Sequence, residues 1–197
     1  MQTDFSDYGV GAVLATDLVN TSPEVRGAGE VLVDAASLVH FLTEHRVIPD
    51  ALPNDAQPTE RDLSQVHALR QEIRSILEAN TEDQAVESAN ALVTRTGVGP
   101  VLRRGTEGRW GWHVATAPHA SLADELAVLI GTGLLGALHT LGHDRFRHCA
   151  SPTCHGMFVD TSRAGRRRYC MPDLCGNRVN VANHRARRQA IDATEPR

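Results

Sequence analysis

The chain of 197 residues is 41% hydrophobic and 4% aromatic, which gives it core for one or two globular domains and excludes disordered and collagen-like classes. All 20 basic residues are arginine, and they are spread unevenly: residues 1–144 hold 9 arginines against 20 carboxylates, a net of −11, while residues 145–197 hold 11 against 4, a net of +7. The first thirty residues carry five carboxylates and no basic start before an apolar run, and the longest uncharged apolar stretch, Leu126 to Leu138, has 13 residues against the roughly 20 a bilayer crossing needs, so a cytoplasmic protein without signal peptide or membrane span is expected.

Residues 9–21 read as a short apolar helix ending in the polar set Asp17, Asn20 and Thr21, followed by a loop with Pro23, Gly27 and Gly29. Asp34 is placed to cap a second helix whose face carries Leu38, Phe41 and Leu42. After a proline-marked loop, Thr59 with Asp62 opens the most strongly periodic helix, with Leu63, Val66, Leu69, Ile73, Ile76 and Leu77 on its apolar side. Thr81 with Gln84 opens another, stopped near Thr96 by Gly97, Gly99 and Pro100. The period then becomes two: 101–104 and 110–115 flank a glycine-bounded turn and predict a β-hairpin, with Trp110, Trp112 and Val114 on one face. Ser121 with Asp124 caps a helix to about Leu141 that is apolar on every side over 126–138, as a central core helix would be. Gly131, Gly133 and Gly136 weaken that helix by about 1 kcal/mol each relative to Ala, which points to a kink or the close approach of another backbone.

All four cysteines lie within one 27-residue window, as Cys149-x4-Cys154, fifteen residues, then Cys170-x4-Cys175. In a reducing cytosol a disulfide framework is disfavoured, and two short-spaced pairs joined by such a loop can place four thiolates at the corners of a tetrahedron, the arrangement of structural zinc. His148 and His155 stand beside the pairs as outer partners or alternative ligands. Met157–Asp160 reads as a strand, Thr161–Gly165 as a turn and Arg166–Tyr169 as the returning strand. A helix from Pro172 to about Ala190 then lines up Cys175, Val179, Ala182, Ala186 and Ala190 at steps of four, three, four and four. A knuckle, a hairpin and a helix bearing the last ligand make a treble-clef-like finger. So small a unit depends on its metal for on the order of 10 kcal/mol of folding free energy.

The fold class expected is therefore α+β: a mostly helical, acidic part over 1–144 with a small hairpin, then a basic four-cysteine finger over 145–197. The other sides of the last helix carry Asn177, Arg178, Asn180, His184, Arg185, Arg187 and Arg188, and the hairpin adds Arg163, Arg166, Arg167 and Arg168. Arginine forks onto phosphate or guanine and asparagine pairs with adenine, so this surface suits double-stranded DNA, with Arg163 and Arg166–Arg168 positioning on phosphate and Asn180, His184, Arg185 and Arg188 facing bases. Asn177 and Arg178, within one turn of a ligand, are equally placed to brace the finger. A solvated basic face, or a zinc-stapled module for protein or RNA, has the same composition.

Cys175-Gly176-Asn177-Arg178, with Phe158-Val159-Asp160, Ser162-Arg163 and Arg167-Arg168-Tyr169-Cys170, resembles the CGNR zinc-finger family. Asp17-Leu18-Val19-Asn20-Thr21 and Leu69-Arg70-x-x-Ile73-Arg74 resemble the ABATE domain that usually precedes that finger, so the likeness spans nearly the whole chain. The resemblance implies zinc on the four cysteines, DNA binding through the finger, and a role in stress-induced transcription regulation. Tyr169 stands where many members have tryptophan, and Val179-Asn180 where a lysine-alanine pair is common.

An acidic helical part ahead of a basic finger is the layout of a regulator that senses a signal or dimerises. Asp17, Asn20 and Thr21 near Trp110, Trp112 and His113 would make a small-molecule effector pocket, although the same residues also serve as helix ends and core. Homodimerisation through a helix such as 121–141 would let a short finger read a palindrome. Enzyme chemistry is not expected: the cysteines are committed to metal, no glycine-rich phosphate loop appears, and the histidines lack metalloprotease spacing. The treble-clef nuclease variant fares no better, with only His184 and Asp160 near the finger.

Overall fold

The computed structural model describes residues 8–27, 29–52, 56–104, 110–181 and 188. Five helices come first: α1 (Gly9–Val19), the single turn α2 (Pro23–Arg26), α3 (Ala35–Glu44), α4 (Glu60–Leu77) and α5 (Glu82–Thr96). The hairpin β1 (Gly97–Arg104) and β2 (Trp110–Thr116) follows, then α6 (Leu122–Leu141), then the short strands β3 (Phe146–His148) and β4 (Met157–Val159).

The helix starts follow the capping residues. Ser37 N donates to Asp34 Oδ1 at 2.8 Å and Asp34 N to Ser37 Oγ at 3.0 Å, and the same reciprocal boxes join Thr59 to Asp62 and Ser121 to Asp124. Pro23, expected in a loop, instead starts the turn of α2, because its fixed φ suits a first helical position where no N–H is needed. β1 begins at Gly97, four residues earlier than the alternation suggests, with a register shift between Gly97 and Gly99.

Helix α6 is the centre of the molecule. It is long and apolar enough by length and composition to cross a membrane, and it is instead mostly buried among α1, α4 and α5. Its apolar sides are used within the chain, with Leu126, Leu129, Ile130 and Leu134 all buried. Its glycines mark close approach, as expected: a Cβ on Gly133 would lie 2.5 Å from Gly11 Cα and 2.6 Å from Ala12 N of α1, and one on Gly131 would meet Ala89 O of α5 at 3.0 Å. α1 and α6 therefore cross with their backbones nearly in contact.

The acidic and basic segments share this core. Met157 and Val159 of β4, each 1% exposed, belong to the same apolar cluster as Leu14, Leu18, Leu69 and Leu126. Val159 N donates to Thr16 Oγ1 at 3.0 Å, so the edge of β4 that faces α1 is closed by a helix side chain. The partner of β4 is accordingly β3, in the antiparallel register Phe146↔Val159 to His148↔Met157, and not the 166–169 segment that its position after the turn suggested. The three residues of β3 are too few to show a period of two in sequence.

Candidate metal centre

The β3–β4 pairing places the first two cysteines in the connecting loop. Cys149 N donates to Gly156 O at 2.8 Å and Cys154 N to Ser151 O at 3.0 Å, which curls the loop so that both sulfurs face inward. Cys170 ends the irregular return, whose backbone is tied to the loop by Ala150 N donating to Arg168 O at 2.8 Å. Cys175 sits in a wide helical turn, Pro172–Gly176, where its N–H reaches Met171 O at 2.8 Å. Helical backbone continues through 177–181 and includes Arg188.

The four Sγ atoms lie within 4.8 Å of one another, with Cys154 to Cys170 at 3.6 Å and Cys170 to Cys175 at 3.8 Å. A disulfide needs about 2.05 Å. Four sulfurs at about 2.3 Å from a tetrahedral zinc lie about 3.8 Å apart, so the separations suit a metal ion and not a bridge. Among the described residues no other group of histidine, cysteine and carboxylate side chains is close enough to hold an ion.

Electrostatics agrees with that fit. Burial and the neighbouring sulfurs push the Cys170 thiol far up and Cys175 to about 11, since several thiolates cannot share a buried site without a cation. At Cys149 burial acts in the same direction, but hydrogen bonds from the Cys170 and Ser151 backbone outweigh it and lower the thiol. The residues thus fit a closed tetrathiolate site with no open position for substrate.

Around the sulfurs the finger is held by one carboxylate. Asp160, fully buried, accepts from Ser162 Oγ at 2.5 Å, from the backbone N–H of Ser162 and Arg167 at 3.1 Å each, and from Arg147 Nη1 at 3.1 Å. Burial opposes its charge, but these donors hold its carboxyl below the usual range. From sequence Asp160 is a strand end, part of the Phe158-Val159-Asp160 motif and a weak nuclease candidate, with no bracing role assigned to it. The available signal was its isolation: it is the one acid among the six arginines between residues 145 and 168.

The arginines divide into two sets. Arg145 donates to the carbonyls of Asp160 and Ser162, Arg147 to Asp160 and Gly165 O, and Arg167 to the carbonyls of Tyr169 and Cys170 while lying 4.9 Å over the Phe158 ring. These three bind the finger together. Arg163, Arg166, Arg168, Arg178 and Arg188 are exposed, as are Asn177 and Asn180, with Asn177 Nδ2 donating to Asp173 O at 2.6 Å. His184, Arg185 and Arg187 lie outside the described residues.

The two N-terminal signatures converge on the finger. Asn20 Nδ2 donates to Thr16 O and to Met157 O, both at 2.7 Å, and Arg74 Nη2 donates to His155 O at 3.0 Å. Gly156 lies between them: a Cβ there would stand 2.5 Å from both Asn20 Oδ1 and Cys170 Sγ. Arg70 forks onto Glu30 at 2.6 and 2.7 Å and reaches Thr21 Oγ1 at 3.1 Å, securing the chain that follows α1. Asp17, Asn20 and Thr21 do line a cavity together, completed by α3 and Met171. His113, buried on β2, is not part of it, and the side chains of Trp110 and Trp112 lie outside the described part of the structure.

Comparison with family models finds the CGNR zinc finger over residues 145–188 and, over residues 12–144, the family described as "Putative stress-induced transcription regulator". No curated protein matches the chain. With the second model covering well over half of the residues, the chain belongs to the ABATE family, and it carries a CGNR zinc finger directly after that domain.

Proposed function

We propose that the protein is a zinc-dependent transcription regulator that binds double-stranded DNA through the finger. The observation that carries this reading is the division of labour among the arginines. Arg145, Arg147 and Arg167 are consumed in binding the finger together, while Arg163, Arg166, Arg168, Arg178 and Arg188 stand exposed on a segment of net charge +7. A surface of forked cations on a metal-stiffened frame suits phosphate and guanine edges. The acidic remainder, net −11, repels the same polyanion and orients the finger toward it. Zinc, held by Cys149, Cys154, Cys170 and Cys175, acts structurally, and a closed thiolate shell supports a binding role over an enzymatic one.

The test is selection from random duplex DNA by the zinc-loaded chain at about 0.15 M salt, where non-specific phosphate binding is already weakened. An enriched motif supports the reading, and its half-site spacing reports the oligomer. Arg166→Ala should weaken binding evenly on all sequences and lower the salt slope by about 1, the mark of a phosphate contact. Absence of any enriched motif, with stronger binding to single-stranded RNA or to a protein, would overturn it.

A further inference from the structure

The four cysteines of the metal centre are not equally protected. Cys149, Cys170 and Cys175 are 8%, 1% and 0% exposed, while Cys154 is half-buried. Its neighbours on the loop, Pro152, Thr153 and His155, are all exposed, so the cluster is open to solvent from the Cys154 side. Hydrogen bonding adds a second asymmetry. The backbone N–H groups of Cys170 and Ser151 both donate to the Cys149 sulfur, whereas Cys154 Sγ accepts from Gly156 N at 3.4 Å. Each such donor draws electron density from a thiolate, so Cys149 is quieted twice over as a nucleophile as well as being buried. Cys170 Sγ stands 3.6 Å from Cys154 Sγ, behind it and away from solvent.

We propose that Cys154 is the point at which a peroxide attacks this centre, and that the product is a disulfide between Cys154 and Cys170 with the zinc ion released. In the first step the Cys154 thiolate takes one oxygen of hydrogen peroxide; the O–O bond breaks, hydroxide leaves and a sulfenic acid remains. In the second the Cys170 thiolate attacks that sulfur; the S–O bond breaks, a second hydroxide leaves and the S–S bond closes from 3.6 Å to about 2.05 Å. The two thiolates have given up two electrons, the peroxide has taken them, and solvent protons neutralise both hydroxides. Only Cys149 and Cys175 are left as ligands, too few to close a tetrahedral shell, and the ion leaves. The bridge also disturbs the joint between the two segments, because Gly156 lies close against both Cys170 Sγ and Asn20 Oδ1 of the chain that follows α1. This chemistry rests on the zinc centre alone; only its use as a switch on DNA binding rests on the function proposed above.

The test uses the zinc-loaded full chain, one sample treated with limiting N-ethylmaleimide and another with hydrogen peroxide. Trypsin, cutting after arginine, leaves Cys149 and Cys154 on the peptide 148–163 and Cys170 and Cys175 on 169–178, so a bridge between the pairs joins two peptides and one within a pair does not. The first maleimide adduct should fall on Cys154, at least about tenfold faster than on each other cysteine, while chain unfolded in denaturant with chelator should label all four at similar rates. Peroxide should join the two peptides through Cys154 and Cys170, located by fragmentation, with zinc appearing in step in a chromogenic chelator assay. Dithiothreitol with added zinc should reverse both changes. First labelling at Cys149, Cys170 or Cys175, a bridge confined to one peptide, or zinc retained with no bridge at peroxide concentrations that oxidise free glutathione would each overturn the proposal. A chain that takes up no zinc would refute the metal centre itself. The expected bridge in a chain that selects no DNA motif would leave this site standing and the regulatory function refuted.

Discussion

Removal of the metal should destabilise the N-terminal helices and not only the finger. When the four cysteines lose their ion, β4 loses its frame, and Met157 and Val159, each 1% exposed, leave the face of α1. Two buried apolar side chains contribute about 1.5–3 kcal/mol each. The two hydrogen bonds from Asn20 to Met157 O and from Val159 to Thr16 add about 1 kcal/mol each. Their loss removes about 5–8 kcal/mol, as large as the whole stability of many domains. For a chain of this size that is a fall in Tm of about 10–30 °C. Thermal unfolding followed by circular dichroism at 222 nm reads mainly α1 to α6, so it reports the N-terminal part. Chelation of zinc, or Cys170→Ser, should lower that single main transition. A helical transition at unchanged temperature, with only a small separate loss at the finger, would refute the shared core.

Gly133→Ala should be destabilising by about 2–3 kcal/mol despite the better helix propensity of alanine, since its Cβ would stand 2.5 Å from the Gly11 backbone; a chemical denaturation midpoint at or above wild type would contradict that crossing. Gly156→Ala would press on Asn20 and Cys170 together, and should weaken zinc affinity at least about tenfold in a competition with a chromogenic chelator. Burial pushes the Glu30 carboxyl up, but Arg70 and the Leu32 N–H outweigh it and hold it below the usual range. A depressed carboxylate contributes stability above its unfolded pKa, near 4.5, and loses it as pH falls through the folded value. Glu30→Gln should therefore be less stable than wild type at pH 7, with the difference shrinking as pH falls below the unfolded value; a difference independent of pH would remove the Arg70 fork as its cause.

Much of this molecule was legible in the sequence because the relevant signals are local. Asp34, Thr59, Ser121 and their partners three residues on start helices by satisfying orphan N–H groups, whatever lies around them. The four-cysteine spacing is local in the same sense, and the sulfurs do meet within 4.8 Å. The role of Arg167 was not legible, because an arginine that forks onto carbonyls and one that faces solvent have the same neighbours in sequence.

By itself, the sequence determined the helix order, the metal-type cysteine cluster, the opposition of charge between its two parts and the family that each part resembles. The tertiary structure alone decided that β4 pairs with β3, that Asn20 and Arg74 grip the finger, and that Asp17 looks across a cavity at α3 and Met171. The physical reason is distance along the chain: Asn20 and Met157 are 137 residues apart, and no periodicity or spacing rule carries information across such a separation. Their meeting depends on α1 and α6 crossing closely enough, at Gly11 and Gly133, for the strand that follows α6 to return to α1.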